Sequence, residues 1–157
     1  MNITITDPHI IIEHPENKGR AVTLICGPPG SGKTTIALQL HPKTLDLAEM
    51  PRGEPRDRMR SFGRQSWRIG RSRTPDVTVI RGAPTKAERD KQLSLCRPAR
   101  TIIMLTDSTT CHQRVAARNR NPTADADGGG LDGQHHGIDV WWSRWDNNTP
   151  PGNALEL

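Results

Sequence analysis

The sequence predicts an α/β fold in three layers, with a short parallel sheet of four to five strands covered by helices on both faces. Two observations support this prediction. Short β-branched segments alternate with segments of helical periodicity along the chain, as in parallel sheets whose strands are joined by helices. The first apolar segment, residues 21–26, also stops at a glycine-rich loop that leads directly into a predicted helix.

Each predicted strand is short, rich in β-branched residues and bounded by turn residues. The four strands are residues 21–26, 43–47, 76–80 and 101–105. Residues 121–137 contain few apolar side chains and are predicted to form a loop. The chain is expected to be a single domain over residues 1–157, in which residues 1–20 form an N-terminal extension.

The helices are predicted from apolar spacing and from capping residues. In residues 33–40, Ile36, Ala37 and Leu40 fall on one side at helical spacing. Pro84 indicates the start of a helix that ends near residue 96, and Asp107 or Ser108 caps a helix that extends to residue 119. Asp107 is therefore interpreted as a helix cap.

The segment between the second and third predicted strands is strongly basic. Residues 51–74 include eight arginines, and Arg56, Arg60, Arg64 and Arg68 recur every four residues, which makes a basic ridge along a helix. Met59, Phe62 and Trp67 fall on another face of that helix. Trp67 is expected to lie in the core, with stacking on a nucleic-acid base as the alternative.

Composition excludes some classes of protein and favours an anionic partner. The 157 residues carry 22 Lys and Arg against 17 Asp and Glu, a formal net charge of +5, and 17 of the basic residues are Arg. No apolar run is long enough to span a membrane and no secretory signal is visible, so a cytoplasmic protein without a membrane partner is expected. The three separated cysteines are expected to be reduced thiols.

One motif carries a specific chemistry. Residues 27–34, here called the glycine loop, match the Walker A pattern G-x-x-x-x-G-K-[ST] between a strand and a helix. Backbone N–H groups of such a loop surround phosphate oxygens, Lys33 reaches the β and γ phosphates, and the Thr34 hydroxyl is placed for Mg²⁺. The predicted ATP-binding residues are Gly27, Pro28, Pro29, Gly30, Ser31, Gly32, Lys33, Thr34 and Thr35. The Asp-Glu pair expected of a typical ATPase is missing, which favours phosphoryl transfer over hydrolysis.

With these motifs, residues 21–120 resemble the small P-loop kinases of the polynucleotide kinase and adenylate kinase-like branch, including phage-type proteins labelled AAA family ATPases. The resemblance implies a P-loop NTPase fold and an ATP- and Mg²⁺-dependent kinase with an anionic acceptor, a nucleotide or a nucleic-acid end. It implies that Asp46, with Glu49 as a substitute, serves the acceptor hydroxyl or the metal. The metal ligands implied are Thr34 and Asp46, and the catalytic residues are Lys33, Asp46, Arg114, Arg118 and Arg120.

The same resemblance assigns residues 51–74 to the acceptor side and residues 121–137 to a lid-like loop. Arg81 departs from the pattern, because many relatives carry an acidic residue at this position. Two alternatives remain open. One is an accessory protein that binds nucleic acid under control of a nucleotide, and the other is a simple NTPase.

Overall fold

The computed structural model of the chain describes residues 3–40, 43–50, 53–73, 75–118 and 130–146. Five strands form one sheet in the order β1-β5-β2-β4-β3. The strands are β1 (His9–Glu13), β2 (Ala21–Cys26), β3 (Thr44–Asp46), β4 (Asp76–Arg81) and β5 (Arg100–Met104). The fold is therefore α/β, and the four predicted strands are confirmed.

The sheet is mixed, so the prediction of a parallel sheet is wrong at one edge. β2 pairs in parallel with β4 and β5, and β3 pairs in parallel with β4, but β1 is antiparallel to β5. β1 lies in residues 1–20, for which the sequence predicts an N-terminal extension. An antiparallel strand needs no crossover helix, so β1 does not belong to the alternation that revealed the other strands.

Five helices accompany the sheet. They are α1 (Lys33–Leu40), α2 (Pro55–Arg71), α3 (Lys86–Cys96), α4 (Ser108–Arg118) and α5 (Gly130–Arg144). The first four correspond to the predicted helices, whose ends shift by a few residues at most, and residue 119 lies outside the described residues. None of the helices in the described ranges is long and apolar enough to cross a membrane.

Alternate residues of the strands point to opposite faces of the sheet, and each face carries its own core. Leu24 and Cys26 belong to a cluster with α2, α3 and α5, whereas Ile25 packs with α1. The largest fully buried side chain in the first cluster is that of Phe62. Helices therefore cover both faces, as predicted. All three cysteines are buried and free, which agrees with the expectation of thiols.

The apolar face predicted for α2 is only partly correct. Phe62 lies in the core, but Met59 is 39% exposed and Trp67 is 49% exposed. The guanidinium carbon of Arg71 lies 4.9 Å from the centroid of the Trp67 ring, which is a cation–π contact at the surface. The expectation that Trp67 lies in the core is therefore wrong, because at five positions after Phe62 it has rotated away from the sheet.

The lid-like loop predicted over residues 121–137 is wrong in its second part. α5 begins at Gly130, and residues 121–129 lie outside the described residues. Ile138 and Trp141 are buried and recur at helical spacing, but the glycines before them concealed this period. Ile138 packs against Cys111 and Val115 of α4.

Two glycines of α2 give a matched test of its packing. A Cβ atom added at Gly70 would overlap the carbonyl oxygen of Leu95 in α3, whereas one added at Gly63 would meet no atom of another described segment within 4 Å. We expect Gly70→Ala to lower the free energy of unfolding by about 1–3 kcal/mol through overpacking. Gly63→Ala should raise it by about 0.5–1 kcal/mol, because alanine favours a helix interior. Denaturant titration measures both, and equal stability of the two variants would contradict this packing.

Candidate active site

The glycine loop lies at the carboxyl end of β2, the central strand of the sheet. The chain reaches β4 on one side of β2 and β5 on the other. In open α/β sheets, ligands bind in the crevice at the carboxyl ends of the strands, where the strand order reverses in this way. The loop therefore occupies the position at which such folds place a ligand.

The backbone conformation of the loop requires glycine at two positions. Gly30 and Gly32 have φ angles of +79° and +87°, in the left-handed region that other residues rarely adopt. A Cβ atom at Gly30 would also lie 2.8 Å from the carbonyl oxygen of Cys111. The loop is thus packed against α4, and only glycine fits this contact.

Lys33 is folded back onto the loop. Its Nζ donates hydrogen bonds to the carbonyl oxygens of Gly27, at 2.7 Å, and Pro28, at 2.9 Å. Burial lowers the pKa of Lys33 to about 8, so the side chain is mostly protonated at pH 7. The loop therefore holds a positive charge. An entering anion can replace the two carbonyl groups as the hydrogen-bond partner of Lys33.

A cavity of about 530 Å³ opens beside the loop. Every residue of the glycine loop except Pro28 lines it, as does Thr35. The charged and polar side chains that other elements contribute are Asp46, Glu49, Arg58, Arg81, Arg118 and Gln134. The structure thus brings Asp46, Arg118 and the loop together, and Gln134 shows that α5 forms part of the wall. In the described ranges, no group of three or more His, Cys, Asp or Glu side chains is arranged to hold a metal ion.

Asp46 is the last residue of β3 and faces the same cavity as Lys33 and Thr34. One carboxylate oxygen, Oδ1, accepts a hydrogen bond of 2.9 Å from the backbone N–H of Ala48, in the short 3₁₀ helix Leu47–Glu49 that Asp46 caps. Burial raises the pKa of Asp46, and this effect is opposed by the Ala48 hydrogen bond and by the charge of Lys33. A carboxylate with a raised pKa is a better proton acceptor than an exposed one.

Two arginines of this cavity were missed as site residues. Arg58 donates a hydrogen bond of 2.8 Å to the carbonyl oxygen of Leu47, and Arg81 lies over the Phe62 ring at 5.7 Å. The Nε atoms of both arginines are buried and have no hydrogen-bond partner among the described residues. Burial lowers the pKa of Arg81. The sequence could have identified Arg81 as a site residue. Arg81 is the last residue of β4, and in a parallel sheet the carboxyl end of β4 lies beside that of β3, where Asp46 is placed.

The side chain of Arg114 is held by Asp7 and by the glycine loop. Its guanidinium binds both carboxylate oxygens of Asp7, at 2.6 and 3.0 Å, and donates a hydrogen bond of 3.2 Å to the carbonyl oxygen of Gly30. Thr106 donates a further hydrogen bond of 2.8 Å to Asp7. This network braces the glycine loop. Arg120, predicted as a third arginine of the set, lies outside the described residues.

The interpretation of Asp107 as a cap is correct. Its carboxylate accepts hydrogen bonds from the backbone N–H of Thr110, at 2.8 Å, and from the Thr110 hydroxyl, at 2.9 Å. These hydrogen bonds lower the pKa of Asp107. Asp107 therefore stabilises the first turn of α4 and does not line the cavity.

Comparison of the chain with protein-family models and with curated proteins gives no match.

The Asp7 network predicts a component of acid sensitivity. The hydrogen bond from Arg114 holds the pKa of Asp7 below its ordinary value of 3.8. The stability this gives is present above the unfolded pKa and is lost as the pH falls through the folded pKa. We expect Asp7→Asn to cost about 1–2 kcal/mol at pH 7 and to flatten the loss of stability below pH 4.

Unfolding by denaturant at pH 7 and pH 3 measures this difference. The control is Asp57→Asn, because Asp57 is exposed and its side chain forms no hydrogen bond or ion pair with other residues in the described part of the chain. An Asp7→Asn variant whose stability follows the wild type at both pH values would contradict the role of this ion pair.

Proposed function

We propose that the protein is a P-loop phosphotransferase that moves the γ-phosphoryl group of ATP to a hydroxyl group of a nucleotide or a nucleic acid. The proposal rests on one observation: a single cavity joins the glycine loop to the carboxylate of Asp46 and to three arginines, which are Arg58, Arg81 and Arg118. The fold is then the three-layer P-loop NTPase fold, with an antiparallel edge strand. The cytoplasmic location stays a prediction from the sequence.

The donor side is the glycine loop. Its backbone N–H groups and the N-terminus of α1 attract phosphate oxygens, and Lys33 exchanges the carbonyls of Gly27 and Pro28 for the β and γ phosphates. The Thr34 hydroxyl and the Asp46 carboxylate are oxygen ligands of the kind that Mg²⁺ prefers, and both line the cavity. They would hold Mg²⁺, which neutralises charge on the phosphates when bound.

The acceptor side is the wall that carries Asp46, Arg58 and Arg81. The acceptor oxygen attacks the γ-phosphorus, the bond from this phosphorus to the β–γ bridging oxygen breaks, and ADP leaves. Asp46 accepts the proton of the acceptor hydroxyl. Arg58 and Arg81 attract the anionic part of the acceptor, and Arg118 stabilises charge on the transferring group.

Transfer is tested with radiolabelled ATP and a panel of nucleosides, nucleoside monophosphates and 5′-hydroxyl oligonucleotides. We expect label on at least one acceptor, none with Lys33→Ala, and a loss of about 10²–10⁴-fold with Asp46→Asn. Glu49→Gln is the matched control. Glu49 lines the same cavity, but it lies after β3 and not at its carboxyl end.

No transfer above the Lys33→Ala level would contradict the proposal. Phosphate release without any acceptor would favour a simple NTPase. If Glu49→Gln abolishes transfer and Asp46→Asn does not, the carboxylate role belongs to Glu49.

The exposed face of α2 favours a second candidate, an accessory protein whose binding to nucleic acid is controlled by ATP. Arg56, Arg60, Arg64 and Arg68 are all exposed. They have no ion pair within the described ranges, and they extend over about 18 Å of helix. Trp67, with Arg71 over its ring, adds a surface on which a base can stack. This face suits a chain of phosphates better than a single nucleotide.

Binding of a fluorescent single-stranded oligonucleotide tests this face. We expect affinity to fall steeply with salt, and the combined variant Arg60→Ala, Arg64→Ala and Arg68→Ala to reduce the slope of log affinity against log salt by about 2. The control removes the same charge elsewhere, with Lys18→Ala, Lys43→Ala and Lys91→Ala, all at exposed positions. An equal reduction in both variants, or no binding at all, would remove the second candidate.

A further inference from the structure

A second cavity, of about 310 Å³, borders the glycine loop on the side of β5. One wall is the segment before β1, residues 4–7, and the opposite wall is the first turn of α1 with Thr35 and Ile36. Met104, the last residue of β5, lies between them, and Arg114 and Arg118 complete the lining. This cavity does not include the wall that carries Asp46, and the function proposed above gives no role to residues 4–7, Ile36 or Met104, which line it.

The segment that forms this wall is held firmly at both ends. The backbone N–H of Thr4 donates a hydrogen bond of 2.9 Å to Gln39 of α1, whose amide donates one of 3.3 Å back to the Thr4 carbonyl oxygen. Asp7 is tied to Arg114 of α4. Ile5 packs against the apolar cluster of α1. The wall is therefore a built part of the fold, anchored to the helices on either side of the loop.

The two cavities share part of their lining at the loop. Five residues line both of them, so a ligand held at the loop lies next to the smaller cavity. These residues are Gly30, Ser31, Gly32, Thr35 and Arg118. A volume of about 310 Å³ is at the lower end of the range for small-molecule sites, which is roughly 300–1,000 Å³. It suits one ring system with part of a sugar.

The chemistry of the two cavities differs. The larger one carries Arg58 and Arg81, whose Nε atoms have no hydrogen-bond partner among the described residues, and it suits an anionic group. In the smaller one, the charges of Asp7 and Arg114 are paired with each other. Its remaining lining combines the apolar side chains of Ile5, Ile36 and Met104 with threonine hydroxyls. Such a lining suits a flat uncharged group with a polar edge.

We propose that the base and ribose of the nucleotide bind in this smaller cavity, with residues 4–7 as the wall that recognises the base. The inference rests on the proposed function, because it requires that the glycine loop holds the phosphates of the same nucleotide. It gives a role to residues 4–7, in the N-terminal segment to which the sequence assigns no role. Thr6 is exposed on this wall, and its hydroxyl has no hydrogen-bond partner among the described residues, so it is available to a ligand.

The test compares ATP with inorganic tripolyphosphate, which has the phosphates without the base. Calorimetry with Mg²⁺ present should show that wild-type protein binds ATP about tenfold or more tightly than tripolyphosphate. Thr6→Trp, which fills the cavity from an exposed position, should bring the affinity for ATP down to that for tripolyphosphate. Its affinity for tripolyphosphate should stay unchanged, and this also shows that the variant is folded.

Thr109→Trp is the matched control, because Thr109 is exposed on α4 and lines neither cavity. It should bind both ligands like the wild type. A Thr6→Trp variant that binds ATP like the wild type, or that loses both ligands to the same extent while remaining folded by circular dichroism, overturns the inference. If wild-type protein binds neither ligand in a manner that depends on Lys33, the proposed function itself fails, and the inference fails with it.

A second measurement does not depend on a substitution. Hydrogen–deuterium exchange in residues 3–8 should slow when ATP binds and should stay unchanged when tripolyphosphate binds. Equal protection by both ligands would mean that the segment responds to the loop alone, and this would overturn the inference.

Discussion

The site depends on the position of β2, which is hydrogen-bonded to a parallel strand on each side. This pairing fixes the point at which the chain leaves the sheet, and therefore fixes the start of the glycine loop. The loop then turns sharply enough to place the N-terminus of α1 beneath it. Gly30 makes this turn possible, because α4 leaves no room for a side chain at that position. Asp46 and Arg81 line the same cavity because β3 and β4 are parallel neighbours whose carboxyl ends lie side by side.

The charged side chains around the site fall into groups that the composition does not distinguish. Asp7 and Arg114 are paired and brace the loop, whereas Arg58 and Arg81 have buried Nε atoms that no group in the described residues satisfies. The arginines along the outer face of α2 are exposed instead. The arginines thus have three different roles. Arg114 holds the loop, Arg58 and Arg81 line a cavity, and the arginines of α2 form an exposed basic surface. An anion in the cavity would satisfy the buried nitrogens, which cost free energy while they lack a partner.

The sequence predicted the parts of the fold that follow a simple period. The glycine loop, α1, and the strands beside it carry their own signals, since each has a short apolar run or a motif with fixed spacing. β1 was missed because an antiparallel edge strand stands outside the strand-helix alternation. The sequence predicts a loop over the first part of α5 because seven of the eight residues 130–137 are glycine or polar and only Leu131 is apolar. The partner of Arg114 was not predictable, because Asp7 is more than a hundred residues away along the chain.

The decisive experiment is a structure of the protein with a non-hydrolysable ATP analogue and Mg²⁺. We expect the triphosphate to lie in the glycine loop, with Lys33 Nζ moved from the carbonyl oxygens of Gly27 and Pro28 to the phosphates. Asp46 should face the γ-phosphate across an open acceptor space. An analogue bound elsewhere, or a Lys33 that keeps both carbonyl contacts, would contradict the proposed phosphate site.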